Sequence, residues 1–215
     1  MVYELVNIVG VAQIANELNL ADIAIQLNAE YEHGRFPGIM YKVEQPQTNI
    51  AIFSTGKTVT TGAKTIEEPQ AALVQLITTL RELGVEVWDD ANINVDIVNM
   101  VALYILTYPE EYEGINRMTQ EPLAGQQRPL NLYNLTFHLR FDRVEYEPEQ
   151  FPGLIYRIPE PKVVVLIFGS GKCVITGAVN EEEIQNAIQI LEQDLAGIGY
   201  DWKNQWIVRR IISYN

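Results

Sequence analysis

The sequence predicts an α+β fold, in the wider α/β class, built as two direct repeats whose strands form an antiparallel sheet with helices on one face. Three observations lead there. Residues 36–63 align without gaps on 151–178, at an offset of 115, with 13 identities in 28 positions, where average residue usage gives about two by chance. Within each aligned segment, short β-branched and aromatic runs are punctuated by Pro37-Gly38, Pro46 and Gly56 or their counterparts, which marks strands and turns. After each segment, apolar residues recur three and four apart, which marks an amphipathic helix: Leu73, Leu76, Leu80 and Leu83 in copy one, Ile188, Leu191, Leu195 and Ile198 in copy two.

Each copy reads strand, short helix, four strands, long helix. In copy one the strands fall at about 3–11, 29–34, 37–45, 48–55 and 57–63, so two copies predict ten strands. The short helix spans about 16–28 and the long one about 66–84. Capping boxes start the long helices, Thr65 with Glu68 and Asn180 with Glu183. Gly84 and Gly199 suit the position just past a helix end.

The repeat also reaches upstream. Val6-Asn7-Ile8-Val9 matches Val98-Asn99-Met100-Val101 at an offset of 92, and Leu18-Asn19-Leu20 matches Leu130-Asn131-Leu132 at 112. Copy two thus carries about 20 extra residues, and 107–129, with Pro109, Gly114, Pro122, Gly125 and Pro129, reads as an inserted loop. The domain organisation that follows is a first repeat at 1–90 and a second at 91–215, with the insertion at about 107–129 and an apolar tail at about 200–215. The insertion is acidic yet holds Tyr108, Tyr112, Ile115, Met118 and Leu123, so two expectations stand side by side: loop and tail form or enlarge a protein-contact surface away from the binding face, or the loop is a disordered lineage-specific insertion.

Net charge is −13, which by itself argues against a nucleic-acid partner. The distribution argues otherwise. Arg35 to Lys64 carries +3 and Phe151 to Val179 carries +2, and these are the same piece of the two copies. Apolar residues are 47% of the chain, enough for a packed core, and no apolar run is long enough for a membrane span. The start has no signal-peptide pattern, and the single cysteine, Cys173, fits a reducing cytoplasm. His33 and His138 lack a repeat partner or a metal-ligand spacing and are expected at the surface or partly packed. No metal site, cofactor site or catalytic triad can be assembled, so the chain is not expected to be an enzyme.

Several strands are apolar on both faces, Val163 to Phe168 throughout, which implies that both faces are covered. The helices suffice for one. The other is left as a dimer interface or a binding surface.

These residues resemble the TATA-box-binding protein family in its archaeal form, over about 2–106 and 130–199. The resemblance rests on the two phenylalanine pairs, the two asparagines after the first strand begins, and the two Gly-Lys…Thr-Gly-Ala strands. It implies a pseudo-twofold saddle with a ten-stranded curved sheet and helices on the convex side, gripping double-stranded promoter DNA through the minor groove. Residue by residue, it implies that Phe36 and Phe53, and Phe151 and Phe168, wedge between base steps. Asn7, Asn99, Thr61 and Thr176 would meet the acceptors of A·T pairs, over an apolar floor of Val9, Val59, Val101, Val174 and Leu166. Arg35, Lys42, Lys57, Lys64, Arg157 and Lys172 would contact phosphates. Glu147 and Glu149 would meet transcription factor B, which with RNA polymerase completes the expected partners, and location would be cytoplasmic, at the nucleoid.

One phenylalanine on a strand is more often core than contact, and one valine is as often one as the other; four phenylalanines at duplicated positions beside Pro-Gly and Gly-Lys reverse the first weighting. The chain departs from the family at Val179, where a basic residue is expected, at the small Ala51, in the insertion, and in the apolar tail. The alternative is a paralogue whose saddle holds a protein partner, or a second copy of itself when DNA is absent. A pure protein scaffold has no need of lysines around an apolar face.

Overall fold

A computed structural model of the protein describes residues 2–32, 34–89, 93–106, 130–198, 200–201 and 206–207. His33, the 107–129 insertion, Gly199 and most of the tail lie outside them. The elements, in chain order, are β1 (Tyr3–Gln13), α1 (Leu20–Leu27), β2 (Gly38–Val43), β3 (Thr48–Phe53), β4 (Lys57–Ala63), α2 (Glu68–Glu82), β5 (Asp96–Ile105), α3 (Leu132–His138), β6 (Val144–Glu145), β7 (Leu154–Ile158), β8 (Val163–Ile167), β9 (Lys172–Ala178), α4 (Glu181–Gly197), β10 (Tyr200–Asp201) and β11 (Trp206–Ile207). The chain divides into an N-terminal unit, Leu5–Val101, and a C-terminal unit, Ala102–Asn215 with Met1–Glu4. β5 passes from one to the other.

In the N-terminal unit the strands run in the order β2-β3-β4-β1, all antiparallel. Strand alternation sends Ile39, Val43, Ile50, Ile52 and Ala12 to one face, where they pack with Leu20 and Ile23 of α1 and Leu73, Leu76, Ile77 and Leu80 of α2. α1 begins at Asn19, whose Oδ1 accepts the Asp22 N–H, and ends at Asn28 in the left-handed region (φ 50°). Gly10 is a tight point of the core. A Cβ there would lie 2.3 Å from Val95 Cγ1 and 2.7 Å from Thr60 Oγ1.

β4 carries a bulge. Ile8 pairs with Ala63 but Gly10 pairs with Thr60, so β4 spends one extra residue, and Gly62 takes φ +92° there. Gly177 takes φ +101° at the equivalent place in β9. The repeated Thr-Gly-Ala is therefore a backbone requirement as well as a surface one.

In the C-terminal unit the order is β5-β9-β8-β7-β6, with Ala102 and Tyr104 of β5 buried along one face. Three tyrosine hydroxyls each donate to a carboxylate of α4: Tyr3 to Glu181, Tyr104 to Glu192 and Tyr156 to Asp194. Burial and these acceptors push all three phenols above their ordinary pKa, Tyr156 to about 12. Arg143 closes the last contact at 3.7 Å from Asp194. β10 and β11 form a separate two-residue hairpin.

Some sequence expectations needed correction. The nine main strands replace the expected ten because 29–34 forms no strand among its described residues. Ala29 N–H instead closes on Ala24 O, and Arg35 and Phe36 both donate to Glu32 O. The segment Ala-Glu-Tyr-Glu-His-Gly lacks the β-branched side chains that favour a strand. Its counterpart β6 is only two residues long. α1 is shorter than expected at both ends. The expected Thr65 cap forms by half: Glu68 accepts the Thr65 N–H at 3.3 Å, but α2 starts after Glu67 with no side-chain cap and Pro69 in its first turn. At α4 the box is closer to form, Asn180 accepting Glu183 N–H at 2.9 Å. Gly84 ends α2 with φ +79°, as expected. Cys173 is fully buried, a small core residue of β9.

Candidate nucleic-acid interface

The strand face turned away from the helices is built of rows of side chains, fixed by pairing register. In the N-terminal unit Met40, Ala51 and Val59 are consecutive partners on β2, β3 and β4, and Val11 of β1 pairs with Val59. The next row is Lys42, Asn49 and Thr61. In the C-terminal unit the same rows read Ile155, Leu166, Val174 and Arg157, Val164, Thr176. Each position is offset by 115. The pairing register of the open face is therefore duplicated.

At one end of each row pattern sit the phenylalanines. Phe36 and Phe53 have ring centroids 5.8 Å apart at 58°, and Phe151 and Phe168 lie 5.8 Å apart at 65°. The Pro-Gly that precedes each strand explains how two rings fit so close. A Cβ on Gly38 would lie 2.8 Å from Ile52 O and 2.9 Å from Phe36 Cε1. On Gly153 it would lie 2.7 Å from Phe151 Cε1 and 3.1 Å from Phe168 Cε1. The rings rest on bare backbone. Similar turns present them: Phe36 N–H donates to Glu32 O at 3.0 Å and Phe151 N–H to Glu147 O at 2.9 Å. Phe53 and Phe168 open turns closed by Gly56 and Gly171 N–H, both glycines at positive φ.

Asn7 lies on the open side of β1, half-buried, and its Oδ1 accepts the Gly62 N–H at 2.7 Å. That bond fixes the amide's orientation. Nδ2 has no partner among the described residues and remains a donor. Asn99, Val9 and Val101 occupy the same side of β1 and β5, half-buried. Thr61 and Thr176 are half-buried in β4 and β9, while Thr58 and Thr60 turn inward and donate to Ala12 O and Gly10 O.

Lys42, Lys57 and Lys172 are exposed on the strands and Arg35 and Lys64 beside them, and none forms an ion pair with another described residue. Arg157 differs: Glu145 of β6 holds it at 2.9 Å, with both side chains more than half exposed. Exposed pairs of this kind contribute little, about 0–1 kcal/mol. Glu147 and Glu149 are exposed ahead of Phe151, and the Glu147 carboxylate accepts from Gln150 Nε2. His138 is exposed at the end of α3.

The phenylalanine pairs, asparagines and threonines singled out in the sequence lie on or beside this face, together with Met40, Val11, Asn49, Ile155 and Val164, which the sequence reading does not include. The signal was available. Once Phe53 is put on the open face, strand alternation puts Ala51 and Asn49 there too, and the offset supplies the rest.

The arrangement defines a class of protein: a duplicated sheet unit that offers a cation-edged strand surface rather than a cleft. The family described as "Transcription factor TFIID (or TATA-binding protein, TBP)" matches residues 2–83 and 124–198. The chain is 40% identical over 194 residues to the TATA-box-binding protein of Thermoplasma volcanium, covering 90% of this chain and 94% of that one. It is 37% identical over 196 residues to that of Methanothrix thermoacetophila, with the same coverage. The solved structure of Methanococcus jannaschii TBP superposes with a TM-score of 0.73 at 38% identity, covering 91% of this chain and 99% of that one. The chain belongs to the TATA-binding protein family. The matched family residues leave out 84–123, which takes in β5 and most of the insertion.

Proposed function

We propose that this protein is a general transcription initiation factor that binds and bends A·T-rich, TATA-like promoter DNA through the minor groove. The observation that carries the reading is the duplication of the open face. Both copies keep an aromatic pair on a glycine, an apolar row, a threonine in the next row, and cations at the edge. A surface under no shared demand would have let one copy drift.

Minor-groove chemistry fits each part. A·T pairs show only acceptors there, adenine N3 and thymine O2. Asn7 is locked with its amide donor outward, and the threonine hydroxyls can donate beside it. The apolar rows exclude water and leave the guanine N2 amino group of a G·C pair without an acceptor, at a cost of about 1–3 kcal/mol. The phenylalanines fit the role of apolar wedges that unstack a base step; minor-groove wedging and the TBP kink are the general examples known for this family. Lys42, Lys57, Lys64, Lys172, Arg35 and Arg157 fit phosphate contacts, Arg157 by exchanging Glu145 for a phosphate. None of these roles involves bond chemistry on a substrate, so the reading is a DNA-binding factor and not an enzyme.

Recruitment follows from the same reading. Glu147 and Glu149 project beside the second wedge pair and suit a basic surface of transcription factor B, which would bring RNA polymerase. Among the described residues no helix is long and apolar enough to cross a membrane, and the reading places the protein with the DNA in the cytoplasm. The two repeats, 1–90 and 91–215, would each serve half of the DNA site.

The test is a gel shift and an end-to-end fluorescence-transfer assay on an A·T-rich promoter duplex, with and without factor B. The expected result is a bent complex that factor B supershifts. A protein that ignores this duplex at low salt, yet binds itself or another protein through the open face, would overturn the reading.

A further inference from the structure

The two open faces match in layout but differ most in size and polarity at two positions. In the C-terminal unit Leu166 stands between Ile155 and Val174, and Val164 stands between Arg157 and Thr176. In the N-terminal unit the same two places hold Ala51, between Met40 and Val59, and Asn49, between Lys42 and Thr61. One floor is therefore branched and wholly apolar. The other has lost three carbons at its centre and gained an amide.

Asn49 is exposed, and its side chain has no hydrogen-bond partner among the described residues. Nothing in the fold occupies it. A strand amide facing Lys42 and Thr61 offers an acceptor, Oδ1, in the part of the face where the other unit offers a methyl-covered surface. Ala51 is 8% exposed, a low point beside Met40, which is 52% exposed. Met40 is unbranched and can rearrange, unlike Ile155.

We infer that Asn49 and Ala51 make the N-terminal unit tolerant of a G·C pair in its half of the DNA site, while Val164 and Leu166 make the C-terminal unit reject one. The inference rests on the minor-groove reading above. Guanine differs from adenine in this groove by one protruding donor, the N2 amino group. To accept it, a protein needs room at the groove floor and an acceptor for the hydrogen. Ala51 supplies room and Asn49 Oδ1 supplies the acceptor. Over Leu166 and Val164 the amino group meets bulk and no acceptor. The protein would then read its two half-sites by different rules, one strict for A·T and one permissive, and this asymmetry would help set its orientation on a nearly symmetric site.

The experiment is competition binding with an A·T-rich duplex and a panel in which each base pair is replaced in turn by G·C. The readout is each protein's affinity for a replaced duplex divided by its affinity for its own unreplaced duplex, which cancels general losses. In the unmodified protein one half-site is expected to give penalties below about threefold, and the mirror positions of the other half about tenfold or more, the ordinary size of a mismatch effect. The double variant Asn49→Val, Ala51→Leu should raise the permissive half to the strict half's penalties. The reciprocal Val164→Asn, Leu166→Ala should lower the strict half. Melting curves identify any variant that fails to fold, and the single variants Asn49→Val and Val164→Asn then carry the test. Binding and bending with equal penalties in both halves, or penalties unmoved by the exchange, would overturn the inference and leave the minor-groove reading standing. Failure of the unmodified protein to bind any duplex of the panel at low salt would overturn both.

Discussion

Placing one methyl group under each phenylalanine pair separates the proposed wedge role from the stability of the fold. Gly153→Ala puts a carbon 2.7 Å from Phe151 Cε1, 3.1 Å from Phe168 Cε1 and 3.3 Å from Phe151 Cζ. Relaxed carbon contacts are about 3.5–4.0 Å, so the rings must swing. Every atom met is the edge of a ring on a half-exposed side chain, so little else moves. Gly38→Ala meets Phe36 Cε1 at 2.9 Å but also the backbone oxygen of Ile52 at 2.8 Å. That oxygen is in the β2–β3 ladder and cannot rotate away. Overpacking a fixed core costs about 1–3 kcal/mol, and in a chain of this size about 2–4 °C of Tm goes with each kcal/mol.

The expectation is therefore a split. Gly38→Ala should lower Tm by several degrees, while Gly153→Ala should lower it by less than about 4 °C. Both should displace a wedge. If base contacts to an aromatic ring are worth about 1–3 kcal/mol each, the DNA dissociation rate should rise about 5- to 100-fold. Scanning calorimetry reads the first quantity, and fluorescence transfer across an end-labelled duplex, with stopped-flow dissociation, reads the second. Gly153→Ala bending DNA to the full extent and dissociating at the unmodified rate would refute the argument that the glycine exists to seat the rings.

Counterion release predicts a salt slope of about −0.9 per phosphate contact; Lys42→Ala or Lys57→Ala should flatten it by roughly one unit without changing sequence preference, and a flat slope in the unmodified protein would count against DNA binding. Asn7→Asp keeps the acceptor for Gly62 N–H but removes the Nδ2 donor, so it should fold while losing about tenfold or more in DNA affinity, the size of one base contact; equal affinity in a gel shift would deny Asn7 a base contact. Burial and then the Asp194 hydrogen bond hold the Tyr156 phenol up at about 12, above its unfolded value. A raised folded pKa means that this stabilisation is complete below the unfolded value near 10 and is lost as pH rises from there through 12. Tm measured across that window should fall less steeply in Tyr156→Phe than in the unmodified protein, and parallel curves would exclude the phenol as the titrating group.

Much of the fold was legible because duplication writes each element twice. Phe36-Pro37-Gly38 against Phe151-Pro152-Gly153 marks the turns that carry the rings, and leucine and isoleucine spacing marks α2 and α4. The failures have local causes. Segment 29–34 holds a strand's place in the repeat plan, but its composition favours turns, and hydrogen bonds from Ala29, Arg35 and Phe36 take the backbone elsewhere. Thr65 carried a capping signature that was half true, because Glu68 alone captures the free N–H groups of Lys64 and Thr65. Asn49 was unreadable in isolation. An asparagine between Thr48 and Ile50 looks like a turn residue until alternation from Phe53 puts it on the open face, where it pairs with Lys42 and Thr61. The tie between Asn7 and Gly62, 55 residues apart, has no sequence signal beyond the recurrence of both.

The insertion in copy two shows how the duplicated frame tolerates change. In copy one, Ile14 N–H donates to Gly56 O at 2.9 Å and Leu18 N–H to Ser54 O at 2.8 Å. In copy two, Leu106 N–H donates to Gly171 O at 3.0 Å and Leu130 N–H to Gly169 O at 2.7 Å. The anchors are the same pair of carbonyls in the same turn. Three residues, 15–17, separate them in copy one and twenty-three, 107–129, in copy two. A chain that leaves and returns at one turn can lengthen without moving either strand, and the entropic cost of closing a longer loop grows only with the logarithm of its length. That explains why the frame survives, and it also fixes where the insertion begins. The anchoring turn follows Phe168 and precedes Lys172, and it holds Leu106 and Leu130, the two described residues that flank the insertion.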